Sequence, residues 1–181
     1  MAGFGTAAPP VVLAEAPVRL GVTCAPFNPT NADCVALALG LLQVREGDVL
    51  FDLGCGDGRF LIQGCKEVSS ITGVGVEYDS LLCDRARARV SEADLQERVT
   101  ILHQNVLDCD ISSATAIFVY LVPTGIAAIR ATLEQAIARG VRVVTYVFSI
   151  PGLIPSRVEV YKQSTKLYLY EQGEQSSSST S

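Results

Sequence analysis

The stretch VLFDLGCGDGRF, residues 49–60, is an apolar run that stops at Asp52 and then turns through three glycines spaced two residues apart. Gly54, Gly56 and Gly58 can adopt backbone angles closed to other residues, and without a Cβ they let the main chain approach a ligand. A strand that leads through such a turn into a helix is typical of the nucleotide-type pockets of α/β sheets. The stretch therefore predicts a pocket of this kind in an α/β domain.

A second apolar run, Ile71 to Val76, ends on Glu77. An acidic residue at the tip of the second strand of a βαβ unit is placed to accept hydrogen bonds from both ribose hydroxyls. Tyr78 follows directly, and it either lies against an adenine ring or belongs to the core. Together the glycine loop and Glu77 predict a site for a nucleoside.

The spacing of the glycines separates two kinds of cofactor. A dinucleotide site has the pattern Gly-x-Gly-x-x-Gly, whose third glycine packs the helix against the strand, and here that position is Arg59. Asp52 and Asp57 flank the turn, and two carboxylates repel a pyrophosphate but suit a cationic amino group and a sulfonium. The pattern disfavours a nicotinamide-dependent oxidoreductase.

Elsewhere the chain alternates between helical and strand periodicity. We expect a first helix after the N-cap Thr30, three further helices at 59–66, 79–93 and 124–139, strands at 49–52, 71–77, 99–102, 115–121 and 141–148, and a closing hairpin at 157–162 and 166–170. Residues 105–114 and 149–156 are short connections with no room for a long helix or a lid. An open cleft suits a macromolecular substrate, because small molecules usually need a cap that excludes water.

The string Asp-Leu-Gly-x-Gly-x-Gly, with Glu77 downstream, resembles the cofactor signature of the class I S-adenosylmethionine-dependent methyltransferases. The resemblance implies S-adenosyl-L-methionine as cofactor and an α/β fold with a single Rossmann-like doubly wound sheet, mostly parallel, ending in an antiparallel hairpin. The cofactor-binding residues that it implies are Asp52, Gly54, Cys55, Gly56, Asp57, Gly58, Glu77, Tyr78, Asn105 and Val106.

Three of these residues have distinct expected roles. Asp52 should hold the amino group of the cofactor directly or through water, although a strand-end residue that binds loop amides is the alternative. Val106 would lend a backbone amide to the adenine. Asn105 stands where the family usually has an aspartate, and its side-chain carbonyl can still accept a hydrogen bond from the adenine amino group.

Flanking motifs narrow the resemblance to a branch of the family. FNPT at 27–30 and YLVP at 120–123 are similar to motifs of small prokaryotic methyltransferases and of the mitochondrial lysine methyltransferases that modify the ADP/ATP carrier and the c subunit of ATP synthase. The similarity runs from about Phe27 to Glu171, and we do not expect residues 1–26 to form an apolar membrane segment like that of the mitochondrial members. It implies N-methylation of a protein lysine, with acceptor-side residues Tyr120, Pro123, Phe27 and Asn28.

A lysine must lose its proton before it attacks a methyl group, and an aromatic, poorly solvated channel favours the neutral amine. Tyr120 and Phe27 could line such a channel, although Tyr120 could also be a core strand residue. His103 has no visible Asp or Ser partner and is interpreted as structural. Methylation of a small molecule or RNA stays open, as does a non-catalytic scaffold with this fold.

Composition excludes several other classes of protein. A net charge of −5 without any basic run gives no electrostatic footprint for nucleic acid. Six cysteines without a Cys-x-x-Cys pair, and a single histidine, indicate no metal site. The cysteines are interpreted as small buried hydrophobes in a reducing compartment, which predicts an intracellular, cytoplasmic location and leaves a mitochondrial one open.

The two ends of the chain differ from its middle. Residues 1–22 are rich in Ala, Gly and Pro, and their apolar stretches are too short and too interrupted for a signal peptide or membrane span. Residues 172–181 end in Ser and Thr, which cannot bury enough surface to order themselves. We therefore predict a flexible arm at 1–22, a methyltransferase domain at 23–171 and a disordered tail at 172–181, with the oligomeric state left open.

Overall fold

The computed structural model describes residues 30–173, and in this range the apolar runs form one sheet of seven strands. The strands are β1 (Val49–Leu53), β2 (Thr72–Glu77), β3 (Val99–His103), β4 (Ala116–Val119), β5 (Arg142–Tyr146), β6 (Arg157–Tyr161) and β7 (Thr165–Tyr170). The helices of the same range are α1 (Ala32–Leu42), α2 (Arg59–Glu67), α3 (Ser80–Glu92), α4 (Pro123–Ala128) and α5 (Arg130–Ala138), with a 3-10 turn at Val106–Asp108.

The strands lie in the order β3-β2-β1-β4-β5-β7-β6. The first five strands in this order are parallel to one another, whereas β7 runs antiparallel to both β5 and β6. This arrangement confirms the predicted doubly wound sheet with a C-terminal hairpin. The chain reverses its direction of winding between β1 and β4, and ligands of open α/β sheets bind at the carboxyl ends of the strands flanking such a point.

Apolar side chains form a layer on each face of the sheet. α1, α2 and α3 contribute to one layer, which includes Leu50, Phe118 and Tyr146. α5 packs on the other face, where the layer includes Phe51 and Ile117. As expected, neither short connection contains a long helix. The one between β3 and β4 contains the 3-10 turn, and the one between β5 and β6 contains no helix.

Four predicted boundaries are wrong in detail, and one of them is the end of β4, which lies at Val119 rather than Leu121. Asn31, not Thr30, caps α1, because its Oδ1 accepts the amide of Cys34 at 2.9 Å. The single helix expected at 124–139 divides at Ile129, whose φ and ψ of −99° and 6° leave the helical region. β5 ends at Tyr146 rather than Phe148, because Val147 has a φ of 70°.

A buried ion pair lies at the amino ends of the strands, away from the glycine loop. Nη2 of Arg142 lies 2.5 Å from Oδ1 of Asp48, and Thr115 Oγ1 donates to the same oxygen at 2.7 Å. Nη1 of Arg142 donates to the carbonyls of Leu42 and Gln43 at 2.6 and 2.7 Å. These bonds fix the end of α1 to the start of β5.

Several predictions concern residues outside the described range. The arm at 1–22, the acceptor candidates Phe27 and Asn28, and the tail beyond residue 173 lie there. Between residues 30 and 173, no helix has the length and apolar character needed to cross a membrane.

Candidate active site

The glycine loop joins β1 to α2 at the carboxyl edge of the sheet. Gly54, Gly56 and Gly58 have φ values of 88°, 53° and 75°, a region that other residues rarely adopt. A Cβ on Gly54 would lie 2.8 Å from a methyl carbon of Leu121, so glycine also permits the close approach of the chain after β4. The amides of Gly54 and Cys55 both donate to the carbonyl of Val76, at 2.8 and 3.0 Å, which ties the loop to β2.

Glu77, at the end of β2, holds the same loop through its carboxylate. Its Oε2 accepts the amide of Gly56 at 2.9 Å, and its Oε1 accepts the amides of Tyr78 and Asp79 at 2.8 and 2.9 Å. A carboxylate offers about four acceptor positions, so these three bonds leave capacity for a ligand hydroxyl. Glu77 is 9% exposed, as expected of a group between a loop and a ligand. Its structural grip on the loop was not foreseen from the sequence.

Asp52 is a buried acid near the end of β1, beside the glycine loop. It is 3% exposed, and among residues 30–173 its Oδ1 has no hydrogen-bond partner. Burial raises the pKa of this carboxyl well above its usual value, and the nearby charges of Glu77 and Asp57 raise it further. A buried acceptor without a donor is unfavourable. The atom fits a ligand that brings a cationic donor, as the amino group of S-adenosylmethionine would.

Asp57 differs from Asp52, because two arginines neutralise it. Nε and Nη2 of Arg59 donate to its two carboxylate oxygens at 2.9 and 2.7 Å, and Arg89 from α3 pairs with Oδ2. Burial alone would raise its pKa, but the two arginines lower the pKa below its usual value. Nη1 of Arg59 also donates to the carbonyl of Thr30 at 3.0 Å. The Asp57 side chain thus braces the loop, and its predicted contact with the cofactor stays a prediction.

The predicted adenine-side residues follow the neighbouring ends of β2 and β3, where Glu77 pairs with His103. The His103 ring donates from Nε2 to the carbonyl of Tyr78 at 2.9 Å, in agreement with a structural role. Asn105 Oδ1 accepts the amide of Leu107 at 3.0 Å, which leaves its second lone pair for the predicted adenine contact. Val106, beside it, begins the 3-10 turn.

Cys55 lies in the loop but turns its side chain into the core. A Cβ on Gly75 would come within 2.7 Å of the Cys55 sulfur, so the thiol fills the space that this glycine of β2 leaves. Burial raises the pKa of the Cys55 thiol well above its usual range. Only the backbone of Cys55 is therefore available for its predicted contact with a cofactor.

The acceptor-side candidates follow β4, next to the glycine loop. Tyr120 is half-buried, and its ring meets that of Tyr146 edge to face, with centroids 4.7 Å apart and an angle of 80°. Tyr146 also lies 6.5 Å from Phe118, which stacks on Phe60 at 4.2 Å. Pro123 is exposed at the first position of α4.

The structure thus brings Tyr120 and Pro123 to the same edge of the sheet as Asp52, Gly54 and Glu77. Tyr146 was missed by the sequence reasoning. In the parallel strands β4 and β5, Val119 pairs with Thr145, so the next residues, Tyr120 and Tyr146, are neighbours. Alignment of the two apolar runs by the two-residue alternation of their side chains could have indicated this pair.

Known proteins are similar to this chain in sequence and in fold. The ANTKMT methyltransferase domain matches residues 52–157. A protein-lysine N-methyltransferase from Saccharolobus islandicus (strain REY15A) is 32% identical over 152 residues, which span 82% of this chain and 94% of that protein. The lysine N-methyltransferase of the ATP synthase C subunit from Homo sapiens is 25% identical over 135 residues, 75% of this chain but only 57% of that longer protein.

Among solved structures, an RNA methyltransferase from Salinibacter ruber in complex with S-adenosyl-L-homocysteine superposes with a TM-score of 0.74. It is 33% identical, and the match covers 79% of this chain and 92% of that one. The glycine loop, the buried Asp52 and the acidic end of β2 fit S-adenosylmethionine, whose product S-adenosyl-L-homocysteine is bound in that solved structure. The chain belongs to the ANTKMT methyltransferase domain family and is a class I S-adenosylmethionine-dependent methyltransferase.

Proposed function

We propose that this methyltransferase N-methylates lysine side chains of proteins. The observation that carries the proposal is the half-buried Tyr120, which lies beside the glycine loop at a sheet edge that no lid covers within residues 30–173. A macromolecular acceptor brings its own surface to such an edge. The lysine methyltransferases among the relatives support the same acceptor.

Methyl transfer mainly requires that the nucleophile, the methyl group and the sulfur are aligned and that the nucleophile is uncharged. When bound, S-adenosylmethionine supplies an activated methyl group on a sulfonium. Asp52 offers the amino group an oxygen that has no partner among residues 30–173, and Glu77 offers the ribose the acceptor position that its three amide bonds leave free. The Tyr120 ring excludes water on the acceptor side, which favours the uncharged amine of the lysine.

RNA is the rival acceptor, because one similar solved structure is an RNA methyltransferase. The charge distribution of this chain does not favour it. The net charge is −5, and arginines of the α3 region are engaged internally: Arg89 pairs with Asp57, and Arg87 and Arg98 donate to the carbonyls of Ile101 and Ser69 at 3.0 and 2.7 Å. Phosphate binding requires clustered cations that are free to face the ligand.

An intracellular location is part of the proposal. Cys34, Cys55, Cys65 and Cys83 are buried as free thiols, as expected of small apolar residues in a reducing compartment. We also propose that the methyltransferase domain begins near residue 23 and ends near residue 171, with the termini outside it.

The acceptor is tested with radiolabelled S-adenosylmethionine and a desalted lysate of the expression host. We expect label in material that proteases degrade and nucleases do not, and methyl-lysine after acid hydrolysis. The matched control is the Gly56→Arg variant, whose loop cannot accept the cofactor. Label recovered in RNA or in a small metabolite would overturn the lysine proposal and leave the methyltransferase activity intact.

Tyr120→Ala should separate the acceptor side from the cofactor side. We expect transfer to fall about 10- to 100-fold, because a misplaced acceptor loses alignment. Binding of S-adenosylhomocysteine should change by less than about twofold. Equal losses in transfer and in cofactor affinity would contradict the acceptor role of Tyr120.

A further inference from the structure

β5 ends in a strained turn directly after Tyr146. Val147 has a φ of 70°, which is unfavourable for a β-branched residue. The amide of Phe148 donates back to the carbonyl of Tyr146 at 2.9 Å, so residues 146–148 form a γ-turn with positive φ. The amide of Val147 donates to the carbonyl of Lys166 in β7 at 2.8 Å, which holds the turn against the sheet.

The turn changes which aromatic side chain enters the sheet layer. In a continuous strand, Phe148 would return to the same face as Tyr146, because side chains alternate with a period of two. Instead Phe148 is turned outward and is 37% exposed, while Tyr146 remains 8% exposed. Strained backbone of this kind persists where the surroundings determine it and clusters at functional sites.

Tyr146 is fixed on several sides. The turn fixes its backbone, Phe118 lies 6.5 Å from its ring, and Cys34 of α1 lies beside its hydroxyl. Burial raises its pKa, so the phenol stays neutral and offers a ring rather than a base. Its ring also meets the ring of Tyr120 edge to face, with centroids 4.7 Å apart.

We propose that Tyr146 is a positioning residue for the acceptor: held by the turn at Val147, it sets the ring of Tyr120 against which the substrate lysine packs. This inference rests on the proposed lysine activity. Tyr146 is too buried to touch a protein acceptor itself, so it acts through Tyr120. An edge-to-face aromatic pair gains more free energy than the burial of its apolar area alone provides. Because this gain depends on the geometry of the pair, the Tyr120 ring has one preferred position.

The test compares Tyr146→Met, Tyr146→Phe and Tyr168→Met with the wild type. Methionine keeps an apolar, adaptable side chain in this core site without a ring, and we expect the fold to be retained. Tyr168, on β7 and half-buried on the opposite face, is the matched control. Methyl-lysine formation is measured against total lysate protein at saturating cofactor, S-adenosylhomocysteine binding by calorimetry, and folding by circular dichroism at the assay temperature.

We expect Tyr146→Met to lower the apparent kcat/KM for lysate protein by about 10- to 100-fold, with cofactor affinity within about twofold of wild type. Tyr146→Phe, which keeps the ring, should restore most of the rate, and Tyr168→Met should not reduce it. Equal rates for Tyr146→Met and Tyr168→Met would overturn the inference, as would a loss of cofactor affinity that matches the loss of rate. Wild-type protein that produces no methyl-lysine would overturn the proposed function itself, and this inference with it.

Discussion

Replacing Asp52 with asparagine should stabilise the cofactor-free protein and weaken cofactor binding. Asp52 is 3% exposed, and its Oδ1 lacks a partner in the part of the chain that the structure describes. Burial and the charges of Glu77 and Asp57 raise its pKa above the value of 3.8 that it has when the chain is unfolded. At pH 7 the unfolded chain carries this carboxylate in water, whereas the fold must bury it as an ion or protonate it. Asparagine removes that penalty.

The magnitude follows from the desolvation of the buried charge that the substitution removes while the acceptor oxygen stays, about 1–3 kcal/mol. For a domain of this size each kcal/mol raises the melting temperature by about 2–4 °C, so the variant should melt about 2–12 °C higher. Because the folded pKa is raised, the penalty is absent below pH 3.8 and grows as the pH rises through the folded pKa. The difference between variant and wild type should therefore shrink as the pH falls towards 4.

Cofactor binding should change in the opposite direction. The amide keeps an acceptor oxygen but loses the charge that pairs with a cationic amino group, which is worth about 1.5–3 kcal/mol or about 10- to 100-fold in Kd. Circular dichroism melts between pH 4 and pH 8 and calorimetry with S-adenosylhomocysteine measure the two effects.

Asp57→Asn is the matched control, because Arg59 and Arg89 pair with that carboxylate and its pKa is lowered. It should destabilise the protein, and the loss should be present above the unfolded pKa and disappear as the pH falls through the folded pKa. The reasoning is refuted if Asp52→Asn melts below wild type as Asp57→Asn does, or if it binds S-adenosylhomocysteine as tightly as wild type.

Three further perturbations test other parts of the molecule. Gly56→Arg should remain folded and lose detectable S-adenosylhomocysteine binding in calorimetry, because its side chain fills the ligand space; retained binding would place the ligand elsewhere. Glu77→Ala should both lower the melting temperature and weaken binding by about tenfold or more, because it removes the acceptor of the Gly56 amide and of two amides after β2 as well as the ribose contact; an unchanged Kd would exclude Glu77 from the site. Arg142→Ala should destabilise the fold by about 3–5 kcal/mol by leaving Asp48 buried and unpaired, seen as a lower urea midpoint; cofactor affinity below that transition should not change.

The sequence alone was sufficient to predict features that depend on residues close to one another in the chain. The positive φ values of the loop follow from Gly54, Gly56 and Gly58, and the position of Glu77 follows from the length of the preceding apolar run. Both features are local, so a single chain segment determines each one. The mostly parallel sheet, in contrast, was implied by the resemblance to the class I methyltransferases.

Contacts between distant segments could not be predicted in this way. Arg89 reaches Asp57 across 32 positions, and the pairing depends on how α3 packs beside the loop. Tyr146 meets Tyr120 only because β4 and β5 are adjacent in a particular register. The strained turn at Val147 contradicts the local preference of valine, and tertiary packing against β7 determines it.

The hydrogen bond from the Gly56 amide to Glu77 has a consequence for the exchange of cofactor and product. A glycine loop that the carboxylate of Glu77 already holds loses little conformational entropy when a ligand arrives, so binding requires no folding step. The backbone of the loop should shift by less than about 1 Å between the free and loaded protein. S-adenosylhomocysteine then binds the same preorganised loop as S-adenosylmethionine. The turnover rate in the cell should therefore follow the concentration ratio of the two molecules rather than the concentration of either.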